Sequence, residues 1–283
     1  MPWLYLDGEL VAAEQAALPA LDRALLFGYG LFETMRSYGG RVFRLAQHYR
    51  RLEMGADVLA IPVPLTLAAL EKAADATLAR NGLAGARLRL TVTAGPEGGR
   101  PSVLLAAREV TEYPPELRRR GMAAVVSAVR RNETSPLAGV KSLNCLNNLL
   151  AREDAKRRGA GEAILLNTRG FIAEGAASNV FLVRDGKLLT PGIEAGALPG
   201  ITRQAVLELA VAEGLAAEEA DLSPGDLAAA AEAFLTGSVM EVMPLVSVDS
   251  KPLGAGRAGP LTERLAAGYR DLVARETSTA SAV

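Results

Sequence analysis

Of the 31 basic side chains in this chain, five are lysines, at positions Lys72, Lys141, Lys156, Lys187 and Lys251, and the remainder are arginines. His48 is the single histidine and Cys145 the single cysteine. One histidine excludes a zinc site built on two or three of them. One cysteine excludes an intrachain disulfide or a multi-cysteine metal site. A serine or cysteine nucleophile would have to use His48 as its base. Chemistry therefore falls to carboxylates, a lysine or a cofactor, and no metal site is expected.

Four of the lysines lie in polar helix positions, a charged helix end or turn sequences. Lys141 differs, in the context Ala138-Gly139-Val140-Lys141-Ser142-Leu143-Asn144-Cys145. The pattern predicts a strand before it and a helix directly after it, with Ser142 as N-cap. The positive end of a helix and apolar neighbours would both disfavour an ammonium. A neutral amine there would suit carbonyl chemistry. The alternative is an ordinary lysine at a strand end.

Two segments suit an anion. Gly200-Ile201-Thr202 follows Leu198-Pro199 and predicts a helix start whose backbone N–H groups point outward. Thr236-Gly237-Ser238 follows an apolar run and forms a second hydroxyl and amide candidate. Gly28-Tyr29-Gly30 lacks the later glycine of a dinucleotide fingerprint. Glu174, before Gly175-Ala176-Ala177-Ser178-Asn179, is a carboxylate that small neighbours leave approachable, or else a surface-turn glutamate.

The elements that must carry these residues alternate between strand and helix. Asp7-Gly8 and Gly39-Gly40 predict hairpin turns. A helix from Leu45 aligns Leu45, Tyr49, Leu52, Ala56 and Leu59, and a second covers about 65–80. In 86–94, Leu88, Leu90 and Val92 face one way and Arg87, Arg89, Thr91 and Thr93 the other. PSVLLAARE is its expected partner, and MAAVVSAV opens a second domain. The helix from about Leu143 to Arg158 has an apolar face of Leu143, Leu146, Leu149 and Leu150. Strands follow at 162–167 and 179–184, with a turn at Asp185-Gly186, and later helices begin near Ile201, Ser223 and Gly259. The tail ETSTASAV is expected to fray. The division expected is a smaller α/β domain at 1–115, a linker at 116–120 and a larger domain at 121–283.

With 283 residues, 49% hydrophobic, the chain has material for two packed domains. Its formal net charge of −1 gives no basic excess for nucleic acid. No apolar run approaches the roughly 20 residues of a membrane helix, and the first residues lack a basic leader. The expectation is a cytoplasmic protein without nucleic-acid or membrane partners.

Together these pieces resemble the fold-type IV, or class IV, pyridoxal-phosphate enzymes. That family includes branched-chain and D-amino-acid aminotransferases, (R)-selective amine transaminases and aminodeoxychorismate lyases. The resemblance rests on Glu174-Gly175-Ala176-Ala177-Ser178-Asn179-Val180-Phe181, on Leu188-Leu189-Thr190 and on Leu198-Pro199-Gly200-Ile201-Thr202-Arg203. It implies a two-domain mixed α/β fold (α/β and α+β in character), with pyridoxal 5'-phosphate in the interdomain cleft and usually a homodimer. It implies that Lys141 holds the cofactor as an aldimine and moves the α-proton. Glu174 would pair with the pyridinium nitrogen so that the ring serves as an electron sink. Arg51, Gly200, Ile201, Thr202 and Ser238 would bind the phosphate. Cys145 stands where branched-chain enzymes place a tyrosine near the cofactor oxygen. Ser238 and Val239 resemble the turn that meets the substrate carboxylate.

The substrate side is mixed. In Phe32-Glu33-Thr34-Met35-Arg36, Thr34 replaces a glycine of branched-chain enzymes and matches a threonine of the lyases. Ala94 replaces an arginine of D-amino-acid enzymes, whereas Glu241 is aminotransferase-like. Phe32, Thr34, Arg36, Arg87, Arg89 and Val239 are the candidate substrate residues. Arg36, Arg87 and Arg89 would read carboxylates, and Arg87 and Arg89 could equally form a solvated strand face. Phe27 and Tyr29 are candidates for the pocket, an interface or ordinary packing, while His48 reads as structural. The expected function is an aminotransferase exchanging an amino group between an amino acid, branched-chain-like or D-, and a 2-keto acid. A lyase releasing pyruvate and 4-aminobenzoate is the alternative, and a non-catalytic cofactor-binding homologue the third.

Overall fold

The computed structural model describes residues 2–278, and these divide into two compact units. The first holds the chain through Thr111, Val140–Asn144 and the end from Leu272; the second holds Glu112–Gly139 and Cys145–Asp271.

The first unit contains β1 (Trp3–Leu6), β2 (Glu9–Ala12), α1 (Arg23–Phe27), β3 (Gly30–Tyr38), β4 (Arg41–Val42), α2 (Leu45–Val58), α3 (Leu67–Asn81), β5 (Ala86–Thr93) and β6 (Val103–Glu109). Its six strands run β2-β1-β6-β5-β3-β4, every pair antiparallel. Both glycine turns sit where the sequence places them. The period of two sorts the faces as expected: Leu88, Leu90 and Val92 are fully buried, with Leu31, Met35, Val103 and Leu105. Together with α2 and α3 residues such as Leu52, Ala56, Leu70 and Leu78, they form one core. α3 begins at an N-cap on Thr66 and ends in a left-handed Gly82.

The second unit contains α4 (Pro115–Arg120), β7 (Met122–Arg131), α5 (Leu146–Arg157), β8 (Glu162–Asn167), β9 (Ile172–Gly175), β10 (Asn179–Arg184), β11 (Lys187–Thr190), α6 (Ile201–Ala212), β12 (Ala217–Glu219), α7 (Pro224–Ala228), β13 (Glu232–Gly237), β14 (Glu241–Val248) and β15 (Lys251–Pro252). The last helix, α8, spans Pro260–Thr277 and continues into the first unit. Nine strands form a mixed sheet in the order β12-β11-β10-β13-β14-β7-β8-β9, with β15 on β14. The β7–β8 pair is parallel, so α5 is the crossover between them. The fold is the mixed α/β architecture expected.

Three local expectations are corrected. Within the stretch expected as the linker, Pro115–Arg120 form α4, started by Pro115 at a position where a missing N–H costs nothing. The helix after Lys141 begins at Leu146, with Cys145 rather than Ser142 as N-cap. Ser142 instead forms an antiparallel bridge with Leu31. The expected apolar face of that helix points outward: Leu146, Leu149 and Leu150 are 64%, 52% and 55% exposed. Ala151 and Ala155 are the buried residues, because small side chains let the helix approach β7 and β8 closely. Of the tail expected to fray, Glu276 and Thr277 are helical, and 279–283 lie outside the described residues.

Candidate active site

In the first unit the segment after Val140 is stitched to β3. Phe32 N–H donates to the Lys141 carbonyl at 2.9 Å, and Leu143 N–H to the Gly30 carbonyl at 2.9 Å. These bonds hold the segment as an extended bridge beside β3, and α5 starts only beyond it, at Leu146. Lys141 therefore does not sit at a helix N-terminus, and no helix dipole acts to disfavour its charge. Its ammonium lies over the ring of Phe32, with Nζ 4.6 Å from the centroid. The Arg89 guanidinium is 4.0 Å from the same ring. The other four lysines are exposed, and Lys141 is half-buried.

Strand register assembles the rest of this face. Thr34 stands opposite Arg89, and Arg36 opposite Arg87. Phe32, Thr34 and Arg36 thus share one face of β3, which Arg89 and Arg87 extend across β5. Arg89 is half-buried, and Arg87 is exposed. Arg36 lies 4.7 Å from the ring of Tyr38. Tyr29 donates its hydroxyl to the Leu59 carbonyl, and Phe27 is exposed.

The opposite face of β3 carries Glu33 among Leu31 and Met35, with all three buried. Arg51 Nε donates to Glu33 Oε1 at 2.8 Å and Arg51 Nη2 to Oε2 at 2.5 Å. His48 Nδ1 lies 2.7 Å from Oε2. Burial pushes the Glu33 carboxyl up, but the Arg51 charge and the His48 and Arg51 bonds outweigh it and hold the group down at about 2. Burial also dominates His48 and lowers it, against the raising effect of Glu33 and with help from the Arg51 and Lys141 charges. The imidazole is thus neutral and donates from Nδ1.

In the second unit Glu174 lies in β9, one residue before its end, and is buried. Its Oε2 accepts from the Leu198 N–H at 2.8 Å, and Arg131 Nε stands 3.5 Å from Oε1. The Leu198 carbonyl in turn accepts from Asn179 Nδ2 at 2.9 Å. Leu198 is pinned on both sides, which aims the Pro199-Gly200 start of α6. No side chain caps that helix, so its first N–H groups are available to an anion. A Cβ at Gly200 would overlap Asn179 Oδ1. Asn179 is also the register partner of Thr236, whose buried hydroxyl has no hydrogen-bond partner. Glu174, Ile201, Thr202 and the Thr236-Gly237-Ser238-Val239 turn are therefore brought together around Asn179 and Leu198. Thr202 Oγ1 is 3.5 Å from the Tyr269 hydroxyl. Cys145 is the N-cap of α5, whose first turn reaches the same segment through Asn148 Nδ2, which donates to the Ala176 carbonyl at 3.0 Å.

An uncapped helix N-terminus, an orphaned buried hydroxyl and a buried carboxylate suit a ligand that joins a phosphate to a ring bearing a basic nitrogen. The class IV amino-transferase family model matches residues 30–248. The chain belongs to the class IV aminotransferases. It is an enzyme of that class. This aminotransferase is 35% identical over 290 residues to the branched-chain-amino-acid aminotransferase of Escherichia coli, covering 97% of this chain and 94% of the relative. A crystal structure of the Escherichia coli branched-chain amino acid aminotransferase superposes with a TM-score of 0.92 at 33% identity, covering 99% of this chain and 97% of that one. Another solved branched-chain amino acid aminotransferase, complexed with N-(5'-phosphopyridoxyl)-L-glutamate, gives 0.90 at 30% identity, covering 97% of this chain and 95% of that one.

Sequence reasoning missed two partners in the aminotransferase, Glu33 and Arg131. Glu33 carries a readable signal: its place in the alternation puts a carboxylate on a core face, which demands a cation. Arg131 has none, because only the fold of β7 brings it to Glu174.

Proposed function

We propose that this aminotransferase moves the amino group of a branched-chain amino acid to a 2-oxo acid such as 2-oxoglutarate. The cofactor is pyridoxal 5'-phosphate, which when bound acts as the electron sink for the α-carbon. Lys141 Nζ would hold it at its aldehyde carbon and would carry the α-proton. Glu174, held by Leu198 N–H and facing Arg131, stays in register to meet the ring nitrogen. Ile201 and Thr202 N–H groups, the Ser238 hydroxyl and Arg51 bind the phosphate. Val239 N–H and Ser238 N–H meet the substrate carboxylate. Phe32 and Thr34 border the side chain of the donor, and Arg89, with Arg36 and Arg87 beyond it, takes the distal carboxylate of the dicarboxylic partner. Cys145 is proposed near the ring oxygen, as a weak donor.

Lys141 carries this reading, as the lysine with a backbone locked onto β3 and an ammonium against the Phe32 ring. The names of the relatives support the branched-chain donor, and the phosphopyridoxyl-glutamate complex of one of them supports glutamate as its counterpart. A homodimer is also proposed. Leu146, Leu149 and Leu150 share one exposed face of α5, while Leu25, Leu26 and Phe27 of α1 are exposed in the other unit. Apolar surface of this kind is normally covered.

Absorbance of the purified protein with pyridoxal phosphate tests the function. L-leucine should bleach the visible band, and 2-oxoglutarate should restore it. Lys141→Ala should form no such band and lose about 1,000-fold or more of the turnover. Bleaching by D-alanine but not L-leucine would overturn the donor assignment. Pyruvate release from aminodeoxychorismate, with no donor bleaching the band, would replace transfer by lyase chemistry.

A further inference from the structure

Arg51 has five N–H bonds in one rigid plane. Glu33 grips the edge formed by Nε and Nη2. That two-point contact fixes the plane of the guanidinium and turns its remaining donors away from Glu33. Glu33 cannot itself drift, because His48 Nδ1 holds Oε2 from one turn earlier on α2. Its backbone pairs with Leu90 inside the sheet. The neighbouring residue on β3, Phe32, carries Lys141 both through its N–H and on its ring. One strand thus sets the anchor amine with one residue and the arginine with the next, on opposite faces.

The charges make the point sharper. Glu33 is ionised and His48 neutral, so the cluster with Arg51 is neutral as a whole. An arginine that bound phosphate by net charge alone would gain from losing Glu33. An arginine that binds by directed hydrogen bonds would lose.

We propose that Glu33 is a positioning residue for the cofactor phosphate, acting through the orientation of Arg51 and steadied by His48. This rests on the reading of Arg51 as a phosphate ligand. The test compares pyridoxal phosphate with pyridoxal, which lacks the phosphate, on the full-length cofactor-free chain. Dissociation constants are read from the visible absorbance of the bound aldehyde. Wild type should prefer pyridoxal phosphate. Glu33→Gln should reduce that preference by roughly tenfold or more while pyridoxal binds as before. Glu33→Gln added to Arg51→Lys should cost nothing further beyond Arg51→Lys alone. A general loss of structure would weaken both ligands together and leave the preference intact. A preference that is unchanged or increased in Glu33→Gln would overturn the proposal. If Glu33→Gln does not fold, Glu33→Asp decides, since it keeps the charge and withdraws the carboxylate by one methylene; an unaltered preference there would also overturn it. A wild type with no preference for the phosphate would instead overturn the role of Arg51.

Discussion

Glu33 holds Arg51 at two points, Oε1 to Nε at 2.8 Å and Oε2 to Nη2 at 2.5 Å, with both side chains buried. A bidentate pair in this setting is strong in one sense only. Removing either partner strands a buried charge and costs about 3–5 kcal/mol, whereas the intact pair adds little net stability. The pair is therefore better understood as fixing geometry than as holding the fold together.

The first prediction concerns pH. The folded pKa of His48 lies below its ordinary value of 6.5. As pH falls through 6.5, the unfolded chain binds a proton that the folded chain refuses, so stability falls, by at most about 1.4 kcal/mol per pH unit. His48 is the single histidine, so the difference in urea midpoints between wild type and His48→Gln, taken between pH 7 and 5.5, should report it. His48→Gln should flatten that slope; an unchanged slope would contradict a neutral buried imidazole. Glu33 acts lower, losing its contribution between 4.5 and about 2.

Gly200 offers a steric test. An added Cβ would displace Asn179 Oδ1 and, with it, the bond from Asn179 Nδ2 to the Leu198 carbonyl. Gly200→Ala should cost about 1–3 kcal/mol of stability. It should also weaken pyridoxal phosphate more than pyridoxal, because the start of α6 is re-aimed. Titration of both ligands checks this, and equal weakening would count against the phosphate at α6.

Arg89 separates the two substrates. Arg89→Gln should lower kcat/KM for 2-oxoglutarate by roughly 10- to 100-fold. Leucine, which has no distal carboxylate, should be little affected in the half-reaction followed by absorbance. Equal losses would place Arg89 outside substrate recognition.

The outward leucines of α5 test assembly. A buried leucine contributes about 1.5–3 kcal/mol. Leu149→Glu should therefore split the proposed dimer in light scattering, without loss of helix content. A wild-type protein that already runs as a monomer would remove the proposal.

Much of the candidate site is legible in local sequence. Lys141, Glu174 and the Gly200-Ile201-Thr202 helix start stand out by residue type and immediate neighbours. The strand faces of β3 and β5 follow from a period of two, and the caps of α3 and α7 from Thr66, Gly82 and Ser223. The sequence could even have flagged Glu33 as a charge on a core face.

Tertiary structure decided the remainder, because partners distant in sequence carry no local mark. Arg131 meets Glu174 across 43 positions of chain through the pairing of β7, β8 and β9. The segment at Lys141 forms a bridge with β3 instead of a helix, since backbone groups there find partners far back in the chain. The helix after it turns its leucines outward because close approach to the sheet favours alanine. Local propensity determined which elements form. Satisfying buried polar groups across the fold determined where they begin and which side they show.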